Sequence, residues 1–199
     1  MEREEYVESY LNEVGSISKR ISRRDIKKVV DLLYKAWEEG RRVFTAGNGG
    51  SASTATHFAS DLAKYTAVEG KPRVRALALT DNMPLMTALI NDLGWGSVFV
   101  EQLKNLMDEG DVFIAISVHG GSGTDKAGPW SQNLLAAAKY VKEMKGKVVG
   151  FAGFDGGMLK MICDASVIVP ANSTPHVEGF HSVLAHLIVA DLRERIERS

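Results

Sequence analysis

Apolar residues recur at helical spacing over 4–20, at Val7, Leu11, Val14 and Ile17, with Ile21 continuing the stripe, so an amphipathic helix is predicted there. Ser22-Arg23-Arg24-Asp25 then has the form of a capping box. A second stripe follows at Ile26, Val29, Val30, Leu33 and Trp37, until Gly40 stops it. From Arg41 the period changes. Short runs of strand formers, at 43–46, 73–80, 111–118, 147–152 and 166–169, alternate with helical stretches. The helices are expected at 83–90 (broken by Asn91-Asp92-Leu93-Gly94), from Trp95 onward, at 131–145 with Ser131 as cap, briefly after Asp155-Gly156-Gly157, and at 177–195. The last should bury Val183, Leu184, Leu187, Ile188 and Ile196.

Alternating strands and helices argue an α/β fold, a five-stranded parallel sheet flanked by helices, with two N-terminal helices in front. The run at 111–118 is apolar enough to lie centrally. The 199 residues suit one domain over 1–199, a helical pair at 1–40 and an α/β core at 41–199. Two helices before the first strand exceed what a minimal sheet of this kind needs. Their apolar surface either covers the chain's own core or meets another subunit.

Composition narrows the partners. A formal net charge of −1 gives no general pull toward nucleic acid. No run of about 18 apolar residues occurs, so no membrane partner is expected. The start, Met-Glu-Arg-Glu-Glu, is acidic where a signal peptide is basic, and the cytoplasm is the expected compartment. Cys163, the single cysteine, excludes an internal disulfide and reads as a reduced core residue.

The candidate chemistry sits after the first strand. There Gly47-Asn48-Gly49-Gly50-Ser51 leads straight into a helical stretch. A strand, a glycine-rich turn and a helix start bring several backbone N–H groups together at the positive end of a helix dipole, which suits an anion. Ser51 fits either as the helix cap or as a phosphate-binding hydroxyl. The spacing matches neither G-x-G-x-x-G nor G-x-x-x-x-G-K-[ST], which argues against the common nucleotide loops. His57 and Asp61, four apart, leave one face of the helix. A second glycine- and hydroxyl-rich loop, His119-Gly120-Gly121-Ser122-Gly123, follows the third strand. In a sheet ordered 2-1-3-4-5 both loops open on one crevice at the topological switch point.

With these motifs in view, the chain resembles the SIS (sugar isomerase) domain family, and within it the phosphoheptose isomerases. The resemblance spans nearly the whole chain. It rests on Gly47-Asn48-Gly49-Gly50-Ser51 with His57-Phe58-Ala59, Asn91-Asp92, Ser117, Asp155-Gly156-Gly157 and the spacing Glu178 to His186. It implies a flavodoxin-like three-layer sandwich and an aldose–ketose isomerase converting sedoheptulose 7-phosphate to D-glycero-D-manno-heptose 7-phosphate, working as a homotetramer with sites between subunits. Asp61 and His186 take the base and acid positions. Asn48, Gly49, Gly50, Ser51, Asp92, Ser117, Ser122, Ser131 and Glu178 take the substrate positions. His57, Asp61, Glu178 and His186 take those of a zinc site, with His176 and His181 nearby on the same segment.

Four departures mark this chain: Asp61 stands for a glutamate, Glu178 for a glutamine, His119 for a loop serine, and an insertion with Thr124–Trp130 splits the second loop. Ser131 is preferred over Ser122 as the last phosphate serine, because it begins a helix. The alternative from another class is a non-catalytic SIS protein that binds a sugar phosphate or a replication initiator.

Overall fold

The computed structural model describes residues 3–121 and 131–199. Two helices, α1 (Arg3–Arg20) and α2 (Arg23–Glu38), precede β1 (Arg42–Gly47). The chain continues through α3 (Gly50–Lys64), β2 (Arg75–Ala78), α4 (Met83–Leu93), a 3-10 turn (Trp95–Ser97), α5 (Val98–Leu106) and β3 (Val112–Ile116). It ends with α6 (Gln132–Glu143), β4 (Lys147–Ala152), α7 (Gly157–Ile162), β5 (Ala165–Ile168) and α8 (Thr174–Glu197). The strands form one parallel sheet in the order β2-β1-β3-β4-β5. None of the described helices is long and apolar enough to cross a membrane.

Alternation along the strands divides the core between the two faces. Val43, Val112, Ile114, Ile116, Val149 and Phe151 turn toward α2, α3 and α8, where Val30, Leu33, Phe58, Leu62, Leu184 and Ile188 meet them. Phe44, Ala46, Phe113, Ala115 and Val148 turn toward α4–α7, against Phe99, Leu103, Leu134 and Val141. Full burial of a side chain such as Phe58 or Leu103 stabilises the fold by roughly 1.5–3 kcal/mol. The helices after β1 and β3 leave toward opposite faces, so the carboxyl ends of these neighbouring strands border the switch-point crevice.

Several local expectations are corrected. Ser22 caps α2 as the sequence suggests, accepting from the Asp25 N–H at 3.2 Å. Ser51, by contrast, lies inside the first turn of α3, and the cap position belongs to Gly49 at φ 57°. Ser131 does precede α6, but it adopts a left-handed conformation at φ 58° and its hydroxyl does not cap the helix. The α4 helix runs through Asn91 and Asp92 and stops only at Gly94, with φ 83°. On α8, Leu184, Ile188 and Ile196 are buried as expected, whereas Val183 and Leu187 are 54% and 45% exposed. That helix packs across α3 and α2, and the rotation that turns Leu184 and Ile188 inward turns Val183 and Leu187 outward.

Candidate active site

The first strand carries Asn48 and Ser51 to the crevice, and the turn between them is the exposed pair Gly49-Gly50. Thr45 on β1 donates to the Ala55 carbonyl of α3 at 2.8 Å, which fixes the helix to the strand that feeds it. Ser51 is 3% exposed and faces a cavity of about 140 Å³, its hydroxyl without a hydrogen-bond partner among the described residues. Ser117 enters the same cavity just past the end of β3, and its Oγ lies 3.3 Å from that of Ser131. Asn48, His119 and Glu178 complete the polar wall. No lysine or arginine stands among the described lining residues. The donors are therefore hydroxyls, amides and the N–H groups at the start of α3, which attract an anion through partial charges.

Two neighbours shape this cavity: Asn133, which sequence reasoning missed, and Glu178, which the resemblance put among the substrate positions. Asn133, fully buried at the start of α6, exchanges hydrogen bonds with the Asn48 amide at 3.0 and 2.9 Å. A polar residue near a helix start looks unremarkable in sequence, and nothing local announces a partner 85 positions away. Glu178 reaches over the α3 start. A Cβ on Gly50 would lie 2.6 Å from its Oε1, so the glycine leaves room for the carboxylate.

Farther along α3, a second group gathers where α8 crosses. His57 Nε2 lies 3.2 Å from Asp61 Oδ2, and His186 Nδ1 lies 4.0 Å from the same oxygen. The two imidazoles meet edge to face, with centroids 4.8 Å apart. Both are exposed, while Asp61 is half-buried between them. One ligand atom from each of the three lies within 4.8 Å of the others. Tetrahedral zinc with N and O ligands at about 2.0–2.1 Å needs them roughly 3.3 Å apart. The 3.2 Å pair meets that spacing, and a small rotation of the exposed His186 ring brings in the third. This donor set of two imidazoles and one carboxylate fits zinc and leaves a fourth position open.

The other expected residues fall elsewhere. Glu178 lies well inside α8, eight positions before His186 and about 12 Å away along the axis, at the anion cavity rather than with the histidines. Asp92 is exposed near the end of α4, accepts from the Asn91 side chain at 2.8 Å and is not among the described lining residues of the cavity. Ser122 lies outside the described residues. His176 is not a substitute ligand: it stacks on Tyr10 and shares hydrogen bonds with Ser173 Oγ at 2.8 Å and the Tyr10 carbonyl at 3.2 Å. Nor is His181, which is buried against Phe151, where burial pushes its pKa down to about 4.

A family model described as "SIS domain" matches residues 9–153, well over half of the chain. The chain belongs to the SIS domain family. The matched stretch of this SIS domain holds both glycine-rich loops and the His57–Asp61 helix, and it ends before α8. Phosphoheptose isomerase from Helicobacter hepaticus is 36% identical over 82% of the chain and 78% of its own length. Lincomycin biosynthesis protein LmbN from Streptomyces lincolnensis is 37% identical over 92% of the chain, which spans 66% of that protein. Among solved structures, phosphoheptose isomerase GmhA from Neisseria gonorrhoeae superposes with a TM-score of 0.84 at 26% identity, covering 96% of this chain and 98% of that one.

Proposed function

We propose that this SIS domain is an aldose–ketose isomerase that converts sedoheptulose 7-phosphate to D-glycero-D-manno-heptose 7-phosphate. The observation that carries the reading is the distance between the two clusters. At 1.5 Å per residue, His57 and Asp61 lie about 9 and 15 Å beyond Ser51 along the α3 axis. An open-chain heptulose 7-phosphate spans roughly 10 Å from C1 to phosphorus, at about 1.2 Å per bond of extended chain. A phosphate seated at Ser51, Ser117 and Ser131 thus delivers C1 and C2 to the level of His57, whose imidazole the Asp61 carboxylate meets at 3.2 Å. The relatives named phosphoheptose isomerase support the same substrate.

In this reading the Asp61 carboxylate takes the proton from C1 and returns it to C2, passing through an enediol. His186 moves the hydroxyl proton from O1 to O2. Asn48 and Glu178 contact the phosphate end of the chain and the hydroxyls near it. Zinc held by His57, Asp61 and His186 would polarise the carbonyl when bound.

The active form is read as a homotetramer in the cytoplasm. Tyr6, Val7 and Leu11 on α1 are 61%, 56% and 62% exposed, an apolar face with no partner in the described chain. The experiment that tests the function is incubation with sedoheptulose 7-phosphate, following the aldose by chromatography. Ketose phosphates one carbon shorter and longer serve as comparison, because the likeness to a lincomycin biosynthesis protein leaves the chain length to be measured. Aldose from the seven-carbon substrate is expected. Tight binding without any aldose would replace the isomerase by a sugar-phosphate-binding protein.

A further inference from the structure

We propose that Thr56 and Asp81 are positioning residues: with Thr80 they form a hydrogen-bond chain that sets the roll of α3 about its axis, and through it the meeting of His57 and Asp61 with His186. The effect on turnover rests on the isomerase reading above; the effect on the geometry of the histidines stands apart from it. Thr56 Oγ1 lies 2.9 Å from Thr80 Oγ1 and 2.7 Å from Asp81 Oδ1. A carboxylate accepts only, so the single Thr56 hydroxyl proton goes to Asp81 and the Thr80 hydroxyl donates to Thr56. The direction of the chain is thereby fixed. A threonine inside a helix often turns its hydroxyl back to the carbonyl four residues earlier. Thr54 and Thr66 do so, onto Gly50 at 3.3 Å and Leu62 at 2.5 Å. Thr56 instead directs its hydroxyl off the helix, to the end of β2.

The partners are themselves tied down. Ahead of Thr80, the Leu79 N–H donates to the Thr45 carbonyl of β1 at 2.9 Å, and the Leu79 carbonyl accepts from the buried Gln102 amide at 2.9 Å. After Asp81, Asn82 caps α4 by accepting from the Leu85 N–H at 3.1 Å. On α3 the Ala55 carbonyl is held by the Thr45 hydroxyl, so the two residues just ahead of His57 are pinned from two directions. At about 100° per residue, Thr56 looks toward the end of β2 while His57 and Asp61 look toward α8. A roll of the helix that frees Thr56 therefore carries both site residues past His186. Side-chain ends lie about 5–6 Å from a helix axis, so about 10° of roll displaces them by roughly 1 Å. The Asp61 carboxylate meets the two imidazoles at 3.2 and 4.0 Å. A shift of about 1 Å remakes such contacts, and misplacement on that scale costs up to about a hundredfold in rate.

The imidazole proton resonances test the geometry on the whole protein, beside kcat and KM for sedoheptulose 7-phosphate and calorimetric titration with inorganic phosphate. The rings of His57 and His186 meet edge to face with centroids 4.8 Å apart, so each ring current shifts the other's signals. His176, stacked on Tyr10, is the reference. Thr56→Val keeps the branched shape and removes the hydroxyl. The His57 and His186 signals are expected to move and those of His176 to stay. kcat is expected to fall about tenfold, with KM and phosphate affinity held within about twofold. Thr56→Ser restores the hydroxyl and is expected to return the signals, and kcat to within about twofold of wild type. Asp81→Ala, at an exposed side chain, serves where Thr56→Val folds poorly and is expected to act in the same direction. Unmoved signals or an unchanged kcat in Thr56→Val, or a loss that Thr56→Ser does not repair, overturns the proposal. Moved signals in a protein that makes no aldose remove the isomerase and leave the positioning of the three side chains standing. Aldose made at the wild-type rate by Thr56→Val, with unmoved signals, does the reverse.

Discussion

Asp61 is the carboxylate on which the proposed chemistry turns, and its neighbours explain how a side chain this short can serve. It is half-buried between two exposed imidazoles, 3.2 Å from that of His57, at whose level the reacting carbons of a seven-carbon chain arrive, and 4.0 Å from that of His186. Asp61→Asn keeps the shape and removes the proton acceptor. Turnover is expected to fall by about a hundredfold or more, while inorganic phosphate binds as before at the separate cavity. An unchanged rate in this variant would take the base role from Asp61. His181, on the same helix as His186, predicts a different behaviour. It is 2% exposed, and burial lowers its pKa to about 4 from an ordinary 6.5; contact with the Ala152 backbone offsets only part of the shift, and neither ring nitrogen makes a hydrogen bond of ordinary geometry. The unfolded chain takes up this proton below about pH 6.5 and the folded one only near pH 4. Stability is therefore full above pH 6.5 and falls as the pH drops toward 4, by on the order of 3 kcal/mol. Urea midpoints for wild type and His181→Leu, compared at pH 7 and 4.5, should show a smaller acid loss in the variant; equal losses would assign the slope to other groups.

The elements of the site are joined across the sheet by one amide pair. Asn48, at the end of β1, and Asn133, in the first turn of α6, hold each other through two hydrogen bonds, and Asn133 also accepts from the Leu134 N–H at 2.9 Å. Asn133→Ala takes from the Asn48 side chain both the acceptor and the donor it uses, and is expected to cost about 1–3 kcal/mol in urea denaturation and to weaken phosphate binding. Lost stability with undiminished phosphate affinity would make the pair a core contact alone. Sequence pattern showed the strands well, because they are short apolar runs; their order was only supposed from the two glycine-rich loops, and the sheet has that order. It also paired His57 with Asp61, since four residues on a helix is one turn. It misjudged α8, whose apolar residues lie on both sides, so that periodicity alone did not say whether Val183 or Val177 faces the sheet. It missed Asn133, because a contact that spans the fold leaves no local trace. The fourth metal position, Glu178, fell to the anion cavity because the regular helix begins at Thr174 and keeps it far from His186.

For the molecule as a whole, the exposed stripe of α1 predicts assembly. Val7 and Leu11 lie on a helix that buries only Ile17, and covering such a face in a second copy removes apolar surface from water on both sides. Sedimentation at micromolar concentration should show a tetramer, and Val7→Asp with Leu11→Asp should shift it toward monomer; a wild-type monomer would contradict the assembly. One further consequence comes from α3 and α8. Both helices run without interruption from the anion cavity to the histidines, and both are anchored to the sheet face by residues such as Phe58, Leu62, Leu184 and Ile188. The distance between the two ends is thus a gauge cut into helical backbone, with its calibration set by pitch and not by any loop. Changes in the surrounding loops alter which hydroxyls are felt along the way, but the length that the gauge admits stays where the two rods put it.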